Sequence, residues 1–359
     1  MSGAAPRGVV VLGGGLAGLS LAIQLRRQDP ATDVLVLERH AHPVPEAAFK
    51  VGESTVEIGA HYFAEALGLR GHLDAAQIRK FGFRFFFDRG GGAVDRALEL
   101  GVSRVLPTPA WQIDRGRFEN FLGAHARGLG VDFRDGATVR RIEPGAGGAP
   151  HTVEFERGGE RRAVQARWLV DASGRAGLLK RRLGLARGNG HDACAAWWRV
   201  QGRVRIDDWS SDPRWQARCE PPERWRSTNH LCGPGYWVWL IPLASGSHSI
   251  GIVCDPALHP VETINSHDKA MAWLRRHQPQ LARALAAGGH ELQDFAFLRR
   301  FSYGCEQVFS GADRWALTGE AGVFLDPFYS PGSDFIAIAN TYVCDLVARD
   351  RAGADPAPW

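Results

Sequence analysis

The chain has 359 residues, 45% of them apolar and 23% charged, the balance of a folded globular protein of one large domain or two ordinary ones. A formal charge of +4 spread over scattered basic residues excludes a dedicated nucleic-acid surface, and no nucleic-acid partner is expected. No apolar run reaches the roughly 18 residues of a membrane span, and the N-terminus lacks a secretory pattern, so a cytoplasmic protein with no membrane span is expected.

The first element is a strand at residues 9–12, "VVVL". Gly13, Gly14, Gly15, Leu16, Ala17 and Gly18 follow it as G-x-G-x-x-G, then a helix over residues 19–27 and a second strand at 34–37 ending in Glu38 and Arg39. This is the dinucleotide-binding pattern in its required context. Gly13 permits the turn, Gly15 lets the backbone approach a pyrophosphate, and Gly18 allows close packing of helix on strand. The helix N-terminus faces the phosphates, and Glu38 is placed to accept from a ribose hydroxyl.

Residues 130–175 read as antiparallel hairpins returning to a buried strand at 168–170. From about 190 to 255 the chain alternates and is rich in tryptophan, as expected of a second sheet. In "YWVWLIP", Trp237 and Trp239 are two residues apart, so both rings project from one face. Residues 264–288 read as one helix, and the segment from 314 to 350 as strand, loop and a long apolar helix.

Six cysteines without a CxxC pair read as reduced thiols. Of 43 basic residues only Lys50, Lys80, Lys180 and Lys269 are lysines, so a site that needs a neutralisable amine stands out.

Three separated segments favour FAD over NAD. Besides the glycine pattern, "DASGR" at 171–175 resembles the second signature of flavin monooxygenases, and "ALTGEAGVFLDPFYSPG" at 316–332 resembles their last one. Glu320 stands where most relatives have aspartate, and Asp326 lies in the same signature. "WQIDRGRFENFL" at 111–122 resembles the helix start that holds FAD in those enzymes, which implies Arg115 and Arg117 as charged contacts.

"WVWLIP" matches the W-x-W-x-I-P motif of flavin-dependent halogenases, and the chain is identified as resembling that family over nearly its whole length. "KVGEST" at 50–55 resembles the strap between the flavin site and the halogenating site. "IRKFGFRFFF" at 78–87 resembles the strand that carries the catalytic lysine, which falls on Lys80. Burial among Phe81, Phe83, Phe85 and Phe86 is expected to lower the pKa of that amine.

The resemblance implies an α/β fold, a Rossmann-type FAD-binding domain of the glutathione reductase and p-hydroxybenzoate hydroxylase kind with an inserted antiparallel sheet layer. The expected layout is 1–190 for the first part of the FAD domain, 191–300 for the substrate-side sheet and 301–359 for the return. The implied chemistry uses FADH2 from a separate flavin reductase, oxygen and a halide ion to make hypohalous acid. This crosses a tunnel to Lys80 and reaches an electron-rich aromatic or pyrrole, free or tethered to a carrier protein. Trp237 and Trp239 form the barrier between substrate and flavin.

Two departures keep alternatives open. Tyr329, Ser330, Pro331 and Gly332 replace the Glu-Ser-Thr-Gly of tryptophan halogenases, which argues against free tryptophan as substrate. Backbone N–H groups of this turn hold the halide in the family, and Pro331 has none, leaving Ser330 and Gly332 as donors. The chain also ends where halogenases continue into a helical cover, so a minimal member or a site completed by a partner is expected. The alternatives are an FAD monooxygenase or oxidoreductase that has lost halide use, and a non-catalytic flavoprotein subunit.

Overall fold

The strand Arg7–Leu12 ends in four fully buried apolar residues, Val9 to Leu12, and such a strand needs cover on both sides. It finds that cover in the computed structural model, which describes residues 5–46, 51–88 and 93–354. The first sheet runs in the order Phe309–Ser310, Trp315–Leu317, Glu160–Asp171, Arg7–Leu12, Val34–Leu37, Asp132–Arg134. Along this path every pair is parallel except the first, and an antiparallel hairpin pair branches off Glu160–Asp171. Helices Leu16–Gln28, Arg115–Gly128 and Gly332–Arg351 cover one face with Leu19, Phe118, Leu122 and Val343. On the other face Ile142, Val153, Phe155 and Leu179 close the core.

The expected hairpins at 130–175 are partly different. Asp132–Arg134 pairs in parallel with Val34–Leu37 and belongs to the main sheet. The expected hairpins follow it: Ala137–Glu143 pairs antiparallel with His151–Arg157, and that strand pairs antiparallel with Glu160–Asp171. That last strand is long enough to serve twice, its polar first half in the hairpin and its buried second half in the parallel sheet.

The second sheet has seven strands in the order Glu291–Leu298, Cys194–Gln201, Ser247–Cys254, Tyr236–Pro242, Thr228–Gly233, Phe83–Phe87, Leu98–Gly101. Two of its strands, Phe83–Phe87 and Leu98–Gly101, come from the N-terminal segment. The tryptophan-rich segment is therefore a sheet, as its alternation requires. One face packs Val238, Ile250, Ile252 and Trp198 on the helices His267–His277 and Pro279–Ala287. The sequence pattern read these as one helix, but Pro279 has no N–H to continue it, and the chain restarts after Gln278.

The opposite face carries the site. The register sets Phe85, His230, Trp239, Gly251 and Trp197 side by side in one row, and Phe87, Cys232, Trp237 and Val253 in the next. Trp237 and Trp239 do project from one face, with ring centroids 5.7 Å apart. The Trp239 indole lies flat on Gly251, where an added Cβ would come within 2.1 Å of the ring. Its Nε1–H donates to Ser249 Oγ at 3.1 Å, which satisfies the buried indole.

Gly251→Ala should therefore destabilise the fold by about 1–3 kcal/mol, read as a lower denaturant midpoint with unchanged slope. Adding Trp239→Phe, which withdraws the larger ring, should recover part of that loss. Equal, additive losses in the cycle would show that the two residues are not in contact.

Candidate functional site

Residues 51–55 form a strap over the sheet face that bears the tryptophans. Ser54 bridges to Gln112, and Thr55 exchanges bonds with Trp111 at 2.9–3.1 Å. Glu53 is buried and pairs with Arg199 at 2.9 Å, and Arg199 pairs with Asp294 at 2.7 Å. Arg199 lies inside the apolar strand Cys194–Gln201, so this charge chain bolts the strap to the sheet.

The strand Ile78–Arg79 pairs with Trp111–Gln112 at the strap's other side. The chain then turns at Gly82, whose φ is +74°, and enters the second sheet as Phe83–Phe87. The segment expected to be one strand is thus two, in different sheets, and Lys80 lies at the corner between them. Lys80 is buried, with Nζ donating to Ser54 Oγ at 2.8 Å and to the Thr55 carbonyl at 2.9 Å. Ser54 Oγ is 2.8 Å from Thr228 Oγ1, which bonds the Gln112 amide in turn.

Nζ stands 3.5 Å from the centre of the Phe83 ring. The four-phenylalanine cage expected from the sequence reduces to this one. Phe86 points to the helix-covered face by strand alternation, and Phe81 packs 5.8 Å from the Arg84 guanidinium. Burial pushes the Lys80 pKa down to about 7, while the carboxylates of Glu57 and Asp334 draw it part of the way back. Lys50, the other amine near the strap, lies outside the described residues.

At the nucleotide end the glycines divide into two kinds. Gly13 has φ +109°, and an added Cβ would meet the Ala172 carbonyl at 2.4 Å. A Cβ on Gly18 would meet the Gly13 carbonyl at 2.0 Å, so the fold itself demands both. Gly15 differs: within 4 Å its Cβ would meet only Glu119 Oε1, at 3.9 Å. Among the described residues no contact requires glycine there, whereas a pyrophosphate against the backbone would. The helix beginning at Leu16 has no side-chain cap, which leaves its first N–H groups for an anion. The donor set and the open cradle fit the diphosphate of FAD.

Glu38 accepts from the Gly14 N–H at 2.7 Å and from the His40 N–H at 2.8 Å, and so joins the two turns of the cradle. Leu16 and Ala17 are buried against the core, which leaves their backbones to contact a ligand, and Arg39 is exposed beside His40. Arg115 holds the Val51 carbonyl and pairs with Glu119 at 2.6 Å, so it links the strap to the helix Arg115–Gly128. Burial lowers its pKa to about 10. Arg117, two residues further, points outward to Glu46 at 3.1 Å and is not brought to the cradle.

Glu320 lies 4.0 Å from Arg175 on the turn Gly319–Ala321. Asp326 caps Pro327–Tyr329 through the Phe328 N–H and also meets His191 at 2.9 Å, so both of its oxygens have protein partners. Ser330 has φ +53°, and Pro331 caps the helix Gly332–Arg351 without an N–H to offer. Phe328 leans back on the sheet, 5.1 Å from Trp237 and 5.2 Å from His230. Sequence reading missed Glu53, Arg199, Asp294, His230 and Phe328. The arginine within "WWRVQ" was the one visible signal, since a charge inside an apolar strand needs a partner.

Residues 7–269 match the FAD binding domain family. The chain is 30% identical over 92% of its length to a flavin-dependent halogenase of Dictyostelium discoideum and spans 58% of that protein. It is 27% identical to the 1H-pyrrole-2-carbonyl peptidyl-carrier-protein brominase of Pseudoalteromonas luteoviolacea, covering 97% of this chain and 78% of the relative. The solved structure of a flavin-dependent brominase superimposes with a TM-score of 0.76 at 25% identity, over 98% of this chain and 81% of that one.

Gly15→Val fills the open cradle and should abolish FAD binding, measured by quenching of flavin fluorescence, without lowering stability. Full affinity in that variant would place the diphosphate elsewhere. Lys80 gives a pH signature. Its amine is neutral in the folded chain above about pH 7 and charged in the unfolded chain up to its ordinary pKa, so stability rises with pH between the two. Relative to Lys80→Met, wild type should gain about 3–4 kcal/mol between pH 7 and 10. Parallel pH profiles would mean a solvated ammonium.

Proposed function

Because the chain belongs to the FAD binding domain family, with FAD as its cofactor, we propose that it is a flavin-dependent halogenase acting on an electron-rich aromatic or pyrrole ring. The observation that carries this reading is Lys80: a buried amine with its pKa brought to about 7, held by the strap beside the tryptophan-bearing face. Reduced FAD, with oxygen and a halide, supplies hypohalous acid in such a site. A separate flavin reductase provides the reduced cofactor, a reading supported by a sequence with no second G-x-G-x-x-G for a nicotinamide dinucleotide.

The residues of this chain then have distinct tasks. The glycine cradle with Glu38 orients the dinucleotide. Trp239, braced on Gly251 and Ser249, and Trp237 beside it keep an aromatic substrate away from the oxidising centre. Lys80 takes up the hypohalous acid. Its ammonium form donates a hydrogen bond to the oxidant's oxygen and makes the halogen more electrophilic, and its neutral form can bind the halogen on nitrogen. With a pKa near 7 both forms are populated. Ser54, Thr228 and Gln112 fix the amine in place. The similarity to a pyrrole-carrier brominase supports a substrate presented on a carrier protein.

Pro331 lacks an N–H and the Ser330 N–H, expected as a donor, is bonded to the Pro327 carbonyl at 2.8 Å, so Gly332 supplies the remaining backbone donor at the start of a 20-residue helix.

The test supplies chemically reduced FAD, oxygen and bromide with 2-naphthol and looks for the bromine isotope doublet by mass spectrometry. Brominated product is expected; hydroxylated product alone would establish a monooxygenase. Pro331→Thr restores an N–H, and its bond to an anion should lower the half-saturating bromide by about 10-fold or more. An unchanged bromide dependence would locate the halide away from this turn.

A further inference from the structure

His230 stands in the middle of the tryptophan-bearing face, 1% exposed, and its Nδ1 has no hydrogen-bond partner among the described residues. Rings enclose it. Phe85 stacks on it at 4.7 Å and 13°, Phe328 and Trp237 stand at 5.2 and 5.3 Å, and Phe83 at 5.7 Å. Phe83 is also the ring under the Lys80 amine. A buried imidazole nitrogen left unpaired is costly, and an apolar side chain would fill the same space without that cost. Neither the fold nor the proposed steps at Lys80 use it.

Its surroundings say what kind of group would complete it. Burial, assisted by the positive charge of Lys80, pushes its pKa down to about 3, so the ring is neutral and has one N–H and one bare acceptor nitrogen. An anion gains little from such a ring, and no cluster of three or more His, Cys, Asp or Glu among the described residues would help it hold a metal ion. A flat molecule with one polar hydrogen gains a hydrogen bond and aromatic contacts on several sides. A groove of about 680 Å³, lined by Phe87, Leu98, Cys232, Tyr236, Trp237 and Phe328, opens one row of the sheet away. Phe328 is common to both, bordering the groove and covering His230. It sits on the single turn Pro327–Tyr329, whose next residue, Tyr329, is 63% exposed.

Resting on the halogenase reading above, we propose that His230 is the specificity-determining residue for the substrate ring. Its imidazole accepts the hydrogen bond of a ring O–H or N–H when the ring enters from the groove and displaces Phe328. The substrate class is thereby narrowed to phenols, pyrroles and indoles with a free heteroatom proton, and O- or N-alkylated rings are excluded. The bond also orients the ring, so that a carbon next to the heteroatom is turned toward the Lys80 side, and it leaves more electron density on that carbon for attack by the halogen. His230 positions the substrate, and halogen transfer stays with Lys80.

The test is a binding measurement by calorimetry on the FAD-loaded protein, with 2-naphthol and its methyl ether, 2-methoxynaphthalene, as probes. Wild type should bind the naphthol at least about 10-fold more tightly than the ether, the worth of one hydrogen bond to a buried group. His230→Phe keeps a ring on Phe85 and should bind both probes alike. His230→Asn puts an amide oxygen near the place of Nδ1 and should recover part of the preference. FAD affinity and thermal midpoint, measured on each variant, report whether the fold is intact, and His230→Asn carries the comparison if His230→Phe does not fold. An equal affinity of wild type for the two probes, or a preference that survives in His230→Phe, overturns the proposal. The halogenase reading fails separately: wild type would then bind the naphthol selectively yet give no brominated product.

Discussion

Everything around the site follows from keeping one amine out of water. Lys80 has two hydrogen-bond acceptors and one aromatic ring for company, where a solvated ammonium has a full hydration shell. Lowering its pKa from 10.5 to about 7 means that burial outweighs every favourable contact by several kcal/mol. A side chain so placed stays buried only because the backbone gives it no alternative. The strap pairs with Trp111–Gln112 on one side and is bolted through Glu53 to Arg199 on the other. The chain carrying the lysine is committed to two different sheets within a few residues. The strain of the corner falls on Gly82, the residue type best able to adopt a positive φ.

The same sheet face combines a tightly packed row with an open edge. Its central row sets Trp239 and Gly251 against each other so closely that a Cβ added at Gly251 would come within 2.1 Å of the indole. That fit makes the face rigid where Trp237 and Trp239 stand. The rows nearer its edge, with Phe85, Phe87 and Cys232, border an open groove. Under the proposed function, rigid cover around the tryptophans and adaptable cover toward solvent would suit keeping a reactive oxidant from its substrate until the two meet at the lysine.

Much of this was legible in the sequence because the signals are local. The glycine pattern with its strand, helix and Glu38 specified the cradle, and the period-two spacing placed both indoles on one face. Lys80 stood out in a chain that uses arginine nearly everywhere. What was not legible is long-range. The charge chain of Glu53, Arg199 and Asp294 joins residues 95 to 146 positions apart, and no local pattern announces it. His230 looked like any histidine in an apolar strand, because its missing partner shows only once its neighbours are placed. The cage of four phenylalanines failed for a simple reason: adjacent residues of a strand point to opposite faces, so Phe86 could not share a face with Phe83 and Phe85. The single helix expected over 264–288 failed at Pro279, a break the sequence did contain.

The central claim is that the two half-reactions are spatially separate and meet only at Lys80. It is tested most directly by a single-turnover experiment on wild type and Lys80→Met, loaded with photoreduced FAD and mixed with oxygen, bromide and 2-naphthol. Oxygen consumed and brominated naphthol formed are counted together. The account predicts equal oxygen consumption in both proteins, with brominated product in the variant lower by more than about four powers of ten, beyond the loss expected for one acid–base group. Comparable product from Lys80→Met, or loss of its oxygen consumption as well, would contradict it.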